Sequence, residues 1–429
     1  MTPKLPERQR KSKNISIESG LIRVLLVTST LINQLAIPIL FIQFSNISNL
    51  GLWTLVVSAG SFAAILDLGL IQIMTTAAIQ AFSKDKISIG KSIINDLFNY
   101  LFYVVIIVFS ATLLVIILTL NSNQLHTETI QLISLCFFNY SLGLLIRFFE
   151  GTFRVLGKLT GLKLLVGISY LDLLILATNL ITVGSFTVIL VEMVVIKIFL
   201  ILVLSLKLQN VFPVLRFMRP KKVLLNALSY LRLGIVSLGM PLGYLALNET
   251  SSIFVGSVLG LETLGIFAIL KSLSGVFRQV CGIFTISMQP KFTELISLNK
   301  LQTANVSFLK MRILLISLNT LLAVVLLASF NFLSTVIPAL SSAGFFVYLI
   351  FLASSYIDIW WLIDSSIIVS TNKLEGLALR FLVSSVLGCA IGVLLLFQIG
   401  VSGMALGTLA IDFVLIPYAI KVRKRILNC

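Results

Sequence analysis

The chain has 429 residues, 58% of them hydrophobic and 11% charged, with a mean hydropathy of +1.09. That composition excludes an ordinary soluble globule and reads as a membrane protein. The 32 Lys and Arg against 16 Asp and Glu give a formal net charge of +16. In a soluble protein this would point to nucleic acid, but here the basic residues are sorted by loop, so topology accounts for them and no nucleic-acid partner is expected.

A run of about 20 apolar residues crosses a hydrocarbon core of about 30 Å. Twelve runs qualify: 21–45, 50–71, 98–120, 130–149, 163–183, 186–206, 231–256, 264–288, 313–332, 345–370, 377–397 and 401–420. In lipid the backbone must satisfy its own hydrogen bonds, so each run predicts a helix. The short alternating segments of a membrane β-barrel are absent. The first run is too long for a signal peptide's apolar core and lacks a small-residue cleavage site, so it reads as a retained span.

The gaps alternate in charge. Basic residues fill the N-terminal tail (Lys4, Arg8, Arg10, Lys11, Lys13) and gaps 84–91, 147–163, 207–232, 291–312, 373–380 and 421–425. Gaps 46–49, 121–129, 184–185, 257–263, 331–344 and 398–400 hold no Lys or Arg. Basic residues beside a span resist translocation, so both termini are expected in the cytoplasm. The expected organisation is a basic tail (1–20), a six-helix lobe (21–206), a linker (207–230), a second six-helix lobe (231–420) and a basic tail (421–429). The linker carries Pro213, Arg216, Arg219, Pro220, Lys221 and Lys222.

The halves repeat. Leu50-Gly51-Leu52-Trp53-Thr54-Leu55 matches Leu264-Gly265-Ile266-Phe267-Ala268-Ile269 at an offset of 214 residues (Leu50 to Leu264). At that offset Glu150 meets Asp364. Equal orientation of two six-span halves makes this a parallel repeat, as in two-lobed transporters. The expected fold is thus an all-α integral membrane protein of about twelve helices in two lobes. Pro38 and Pro241 fall in the first span of each half, where a kink serves gating or is merely local. Trp53 reads as an interfacial anchor, and Trp360-Trp361 beside Asp358 as a deeper wall. Cys136, Cys281, Cys389 and Cys429 are scattered without metal or disulfide spacing. His126, the chain's single histidine, sits in a short gap, so neither a metal site nor a cofactor site is expected.

A charge at the membrane centre costs about 2.5–3.5 kcal/mol on insertion scales, so each exception needs a reason. With a rise of 1.5 Å per residue, Lys271 lies about 14 Å past Glu262, and Lys197 about 18 Å from the outer end of its span. Asp172 and Asp412 are near mid-depth, Glu192 and Glu249 in the outer third, and Asp67, Arg278, Asp358 and Asp364 in the inner half. Two readings stand: these residues pair, snorkel or cap helices, or they line a polar cavity between the lobes. Glu192 and Lys197 are five apart, about 140° around a helix, so Lys197 needs a partner elsewhere, with Asp172 a candidate. Lysines in a cavity would suit an anion such as phosphate.

Three stretches carry a family resemblance: Gly51-Leu52-Trp53-Thr54-Leu55, Ile65-Leu66-Asp67-Leu68-Gly69-Leu70, and Ala81-Phe82-Ser83-Lys84-Asp85. A second set is Gly256-Ser257-Val258-Leu259-Gly260, Leu264-Gly265-Ile266-Phe267 and Gln289-Pro290-Lys291-Phe292. The first set resembles the second helix of Wzx-type polysaccharide flippases, in the superfamily that also holds lipid II flippases and MATE drug exporters. The second resembles that family's seventh and eighth helices and the proline-marked loop after them. The resemblance implies transport of undecaprenyl-pyrophosphate-linked oligosaccharide across a bacterial inner membrane, with polysaccharide polymerase and assembly proteins as partners. It implies cavity cations on the pyrophosphate, for which Lys271, Lys197, Arg278 and Arg147 are the candidates. Asp67, Asp172, Glu249, Asp358 and Asp412 are the acidic coupling candidates. Related lipid II flippases carry arginines within the first helix, whereas here that helix has only Arg23, at its inner end.

A MATE-type cation-coupled antiporter is the alternative, although two deep lysines fit a cation-selective site poorly. An enzyme such as a membrane glycosyltransferase or polymerase would need polar exterior loops. The longest exterior gap, 331–344, holds no charged residue, so no catalytic residue is expected.

Overall fold

The computed structural model describes residues 25, 28–29, 31–83, 86–120, 127–155, 160–182, 184–211, 238–297, 299–371 and 375–427. The basic tail 1–20, Arg23, Lys84, Asp85, His126, most of the linker and Cys429 lie outside them. Among the described residues the chain is helical and without strands. Its elements are α1 (Leu31–Phe44), α2 (Ile47–Ser61), a 3-10 turn (Phe62–Asp67), α3 (Leu70–Ser83), α4 (Ile87–Leu120), α5 (Thr127–Val155), α6 (Thr160–Thr182) and α7 (Phe186–Val211). The second half has α8 (238–244), a π-turn (Leu245–Glu249), α9 (Thr250–Leu259), α10 (Leu261–Ser297), α11 (Leu301–Ala328), α12 (Phe330–Val336), α13 (Pro338–Ala343), α14 (Phe345–Ser370), α15 (Glu375–Ile399) and α16 (Ser402–Leu427).

Where they are described, the twelve expected runs fall on helices, the second with a break at Leu68 and Gly69. Nine helices among the described residues are long and apolar enough to cross a membrane. The other three expected spans lie on α1, on α6 and on the stretch from α8 to α9, which carries a π-turn four residues after Pro241. Residues 289–292, expected in a loop, instead lie within α10, and Phe292 is buried against Phe308. α16 likewise runs through the expected tail to Leu427.

The 214-residue repeat governs the architecture. Ile47 of α2 maps onto Leu261 at the start of α10, and Ile87 of α4 maps onto Leu301 at the start of α11. α5, α6 and α7 map onto α14, α15 and α16 to within a few residues. In the first lobe α5 packs on α2, α4 and α7; in the second, α14 packs on α10 and α16. The lobes meet where α2 crosses α10, and α2 also touches α9. That crossing obeys the repeat reciprocally. A Cβ added to Gly51 would land on the carbonyl oxygen of Leu261, and one added to Gly265 on that of Ile47. Ile47 and Leu261 are themselves 214 apart, so the two contacts exchange under one pseudo-two-fold axis. Glycine at both positions lets the helix backbones touch, as at small-residue crossings in membranes.

The repeat breaks in the first lobe. After the 3-10 turn, Leu68 (φ 50°) and Gly69 (φ 68°) adopt left-handed backbone, separating α2 from α3. The equivalent stretch of α10 is continuous. Asp67 Oδ1 accepts from the Ile71 N–H at 2.8 Å, and Tyr100 donates its hydroxyl to the Leu66 carbonyl at 2.8 Å, so local bonds hold the break. Trp53, expected at the interface, is buried between Phe41 and Phe186, with ring centroids 6.1 and 6.0 Å away.

Candidate functional site

The charged candidates separate into three places. The largest group lies in the second lobe, around the π-turn. Lys271, on α10, donates to the Asn248 carbonyl at 2.7 Å and to Ser252 Oγ at 3.2 Å, with Glu249 Oε2 at 4.0 Å. Two turns further, Arg278 donates Nε to Asp358 Oδ2 at 2.6 Å, with its Nη2 2.5 Å from the same oxygen. Its Nη1 reaches Asn248 Oδ1 at 3.4 Å, and its guanidinium stands 5.8 Å from the Tyr244 ring centroid. The other Asp358 oxygen accepts from Trp361 Nε1 at 2.6 Å, so the wall expected at Trp361 is a hydrogen-bonded partner of that carboxylate.

Asp412 completes this group. It is 2% exposed and within electrostatic reach of Asp358 and Arg278. Its carboxylate lies within side-chain reach of Asp358 and Trp361, though neither oxygen makes a hydrogen bond of full geometry among the described residues. Lys271 and Arg278 are seven apart, hence on one face of α10, and both border a cavity of about 70 Å³. Asn248, Ser251, Ser274, Ser354, Ser355 and Thr408 supply its other polar lining. No carboxylate is among the described lining residues, although Glu249 lies 4.0 Å from Lys271 and Asp358 2.5 Å from Arg278.

The second place is in the first lobe. Lys197 Nζ lies 3.8 Å from Asp172 Oδ2, the partner weighed from sequence, and Asn179 donates to Glu192 at 2.8 Å. Tyr140 of α5 is within electrostatic reach of both Asp172 and Glu249. The third place holds Asp67 and Arg147, in electrostatic reach of each other and apart from the cavity lining. Asp67 there closes the α2–α3 break.

Sequence reading missed Asn248, Ser252, Tyr244 and Tyr140, which carry no charge signal. It also missed Arg423, counted with the basic tail. Arg423 is 8% exposed, donates to Asp364 Oδ1 at 3.0 Å and lies 5.0 Å from the Phe308 ring centroid. Among the described residues no three His, Cys, Asp or Glu side chains group to hold a metal.

The cavity charges are not part of the repeat. Subtracting 214, Lys271 corresponds to Val57, Arg278 to Ala64, Glu249 to Leu35, Asp358 to Leu144 and Asp412 to Ile198. Adding 214, Lys197 corresponds to Ile411 and Asp172 to Val386. The same helices therefore pack in the opposite lobe with apolar residues at these positions. Packing does not require the charges, which marks them as functional candidates.

No protein-family model matches the sequence, and no curated protein matches it. Solved structures do. A MATE in the bent conformation superposes with a TM-score of 0.63 at 11% identity, over 97% of this chain and 96% of that one. The eukaryotic MATE transporter AtDTX14 gives 0.60 at 13% identity, over 97% and 99%. A MOP superfamily transporter from Pyrococcus furiosus, described by the reverse polarity of its binding pocket, gives 0.51 at 11% identity, over 96% of each chain. At these identities the likeness is one of fold, and the chain has the fold of the MATE-type transporters of the MOP superfamily.

Proposed function

We propose that this protein is a membrane transporter that carries an anionic, lipid-linked oligosaccharide across a bacterial inner membrane by alternating access. The observation that carries this reading is the cavity wall: Lys271 and Arg278 border it together, and no carboxylate does. A pyrophosphate presents the charge that such a pair recognises. Pocket polarity varies within the fold, as the Pyrococcus furiosus transporter illustrates for its own site. Nothing in the reading requires bond chemistry. The work is to shield a hydrated, charged headgroup from hydrocarbon while the lipid tail stays in the bilayer. The cavity is lined by second-lobe residues rather than lying between the lobes, and at about 70 Å³ it admits water but no glycan headgroup, so substrate entry requires it to open. Polymerase and assembly proteins would take up the product on the outer face.

The test is surface glycan output in cells that depend on this chain. Lys271→Ala and Lys197→Ala should cut output at least tenfold at unchanged protein level, the scale of a lost charge contact of about 1.5 kcal/mol or more, and exposed Lys424→Ala should not. Wild-type output from both Lys271→Ala, at the cavity, and Lys197→Ala, at the Asp172 pair, would refute the anionic reading. A second reading, a cation-coupled antiporter, is favoured by one observation, the buried carboxylate of Asp412 beside that of Asp358. It predicts export of cationic dyes that Asp412→Asn abolishes while glycan output stays normal.

A further inference from the structure

The ammonium of Lys271 sits among oxygens of the kind that hold a monovalent cation. Its neighbours are a backbone carbonyl, a hydroxyl and a carboxylate: Asn248 O at 2.7 Å, Ser252 Oγ at 3.2 Å and Glu249 Oε2 at 4.0 Å. All three come from the π-turn and the first residues of α9. Interruptions of this kind in membrane helices turn carbonyls and side-chain oxygens toward monovalent cations near the midplane, and π-turns recur at functional positions. The side chains of the set are absent from the first lobe, where Lys271, Glu249 and Ser252 correspond to Val57, Leu35 and Pro38, so the lysine and its side-chain ligands are missing together there.

We propose that Lys271 is a resident cation. Its ammonium permanently fills an oxygen-lined site made by the Asn248 carbonyl, the Ser252 hydroxyl and the Glu249 carboxylate. In the native protein this site takes no inorganic monovalent cation, and removing the lysine side chain converts it into a site for one. A tethered ammonium cannot dissociate during a transport cycle, so the positive charge at the cavity wall is constant and independent of the salt on either side. The inference goes beyond the anionic-substrate reading and does not rest on it, because it concerns simple salts and the purified protein alone.

The experiment measures thermal unfolding of the full-length protein in detergent, in NaCl against N-methylglucamine chloride at equal ionic strength. Wild type should unfold at the same temperature in both. Lys271→Ala should be less stable in N-methylglucamine and regain several degrees in Na+, with saturation, as expected of a ligand that binds the folded state. Adding Glu249→Gln to Lys271→Ala should remove the Na+ response. A Lys271→Ala protein indifferent to Na+, K+ and Li+ overturns the proposal, as does a wild type that responds to Na+ as strongly as the variant. If Lys271→Ala can be purified only when Na+ is present throughout, that supports the proposal; failure to fold in every salt overturns it.

Discussion

The lobe crossing gives the most quantitative test of the architecture. Gly51 and Gly265 face the backbone oxygens of Leu261 and Ile47, and neither oxygen can rotate aside as a side-chain tip would. Ordinary Cβ contacts begin at about 3.4 Å, and a methyl at either glycine falls well inside that limit. Gly265→Ala must therefore push α2 from α10 by on the order of 1 Å, an overpacking cost of about 1–3 kcal/mol. Gly282 is the internal control: it lies on the same helix, and a Cβ there meets nothing within 4 Å. Gly282→Ala gains helix propensity and should be neutral or slightly stabilising. Thermal unfolding of the purified variants should place Gly265→Ala roughly 2–6 °C below Gly282→Ala. Because the two glycines share one crossing, Gly51→Ala on top of Gly265→Ala should cost less than it does alone, a coupling readable in a double-mutant cycle. Equal unfolding temperatures for the Gly265 and Gly282 variants, or strict additivity of Gly51 and Gly265, would refute the reciprocal crossing.

Two ion pairs can be tested in the same assay. Asp358→Ala strands Arg278 and should cost about 3–5 kcal/mol, whereas Asp358→Ala with Arg278→Met should recover most of that loss; additive losses would count against the pair. Arg423→Ala removes the guanidinium hydrogen-bonded to the Asp364 carboxylate, which is 0% exposed, and leaves it only the charge of nearby Arg312. It should cost about 3 kcal/mol, against less than about 0.5 kcal/mol for exposed Lys424→Ala, and similar melting temperatures for the two would refute a structural role for Arg423.

How much of the site could be read in advance depended on the residue. Lys271, Arg278, Asp358 and Asp412 announced themselves, since charge in an apolar run is visible in one dimension. Asn248 and Ser252 did not, because neutral polar residues are ordinary in membrane helices. Their role arises from a π-turn that hydropathy does not register. Arg423 was legible as a charge and misplaced as a tail residue, because a helix continues past its apolar stretch whenever its backbone bonds permit. The same cause shortened the gap expected at 291–312 to the few residues between α10 and α11. Asp67 stood out within a motif, yet its described bond is a local one to the start of α3.

The sequence by itself determined the helical class, the places of twelve apolar runs and the two-fold repeat. Hydropathy sums over single residues, and an offset needs no coordinates. Tertiary structure alone decided which charges meet. Partner choice depends on the rotation of each helix about its axis and on how closely neighbours approach. Those quantities are set at contacts such as Gly51 on Leu261, hundreds of residues apart in the chain and touching in the fold.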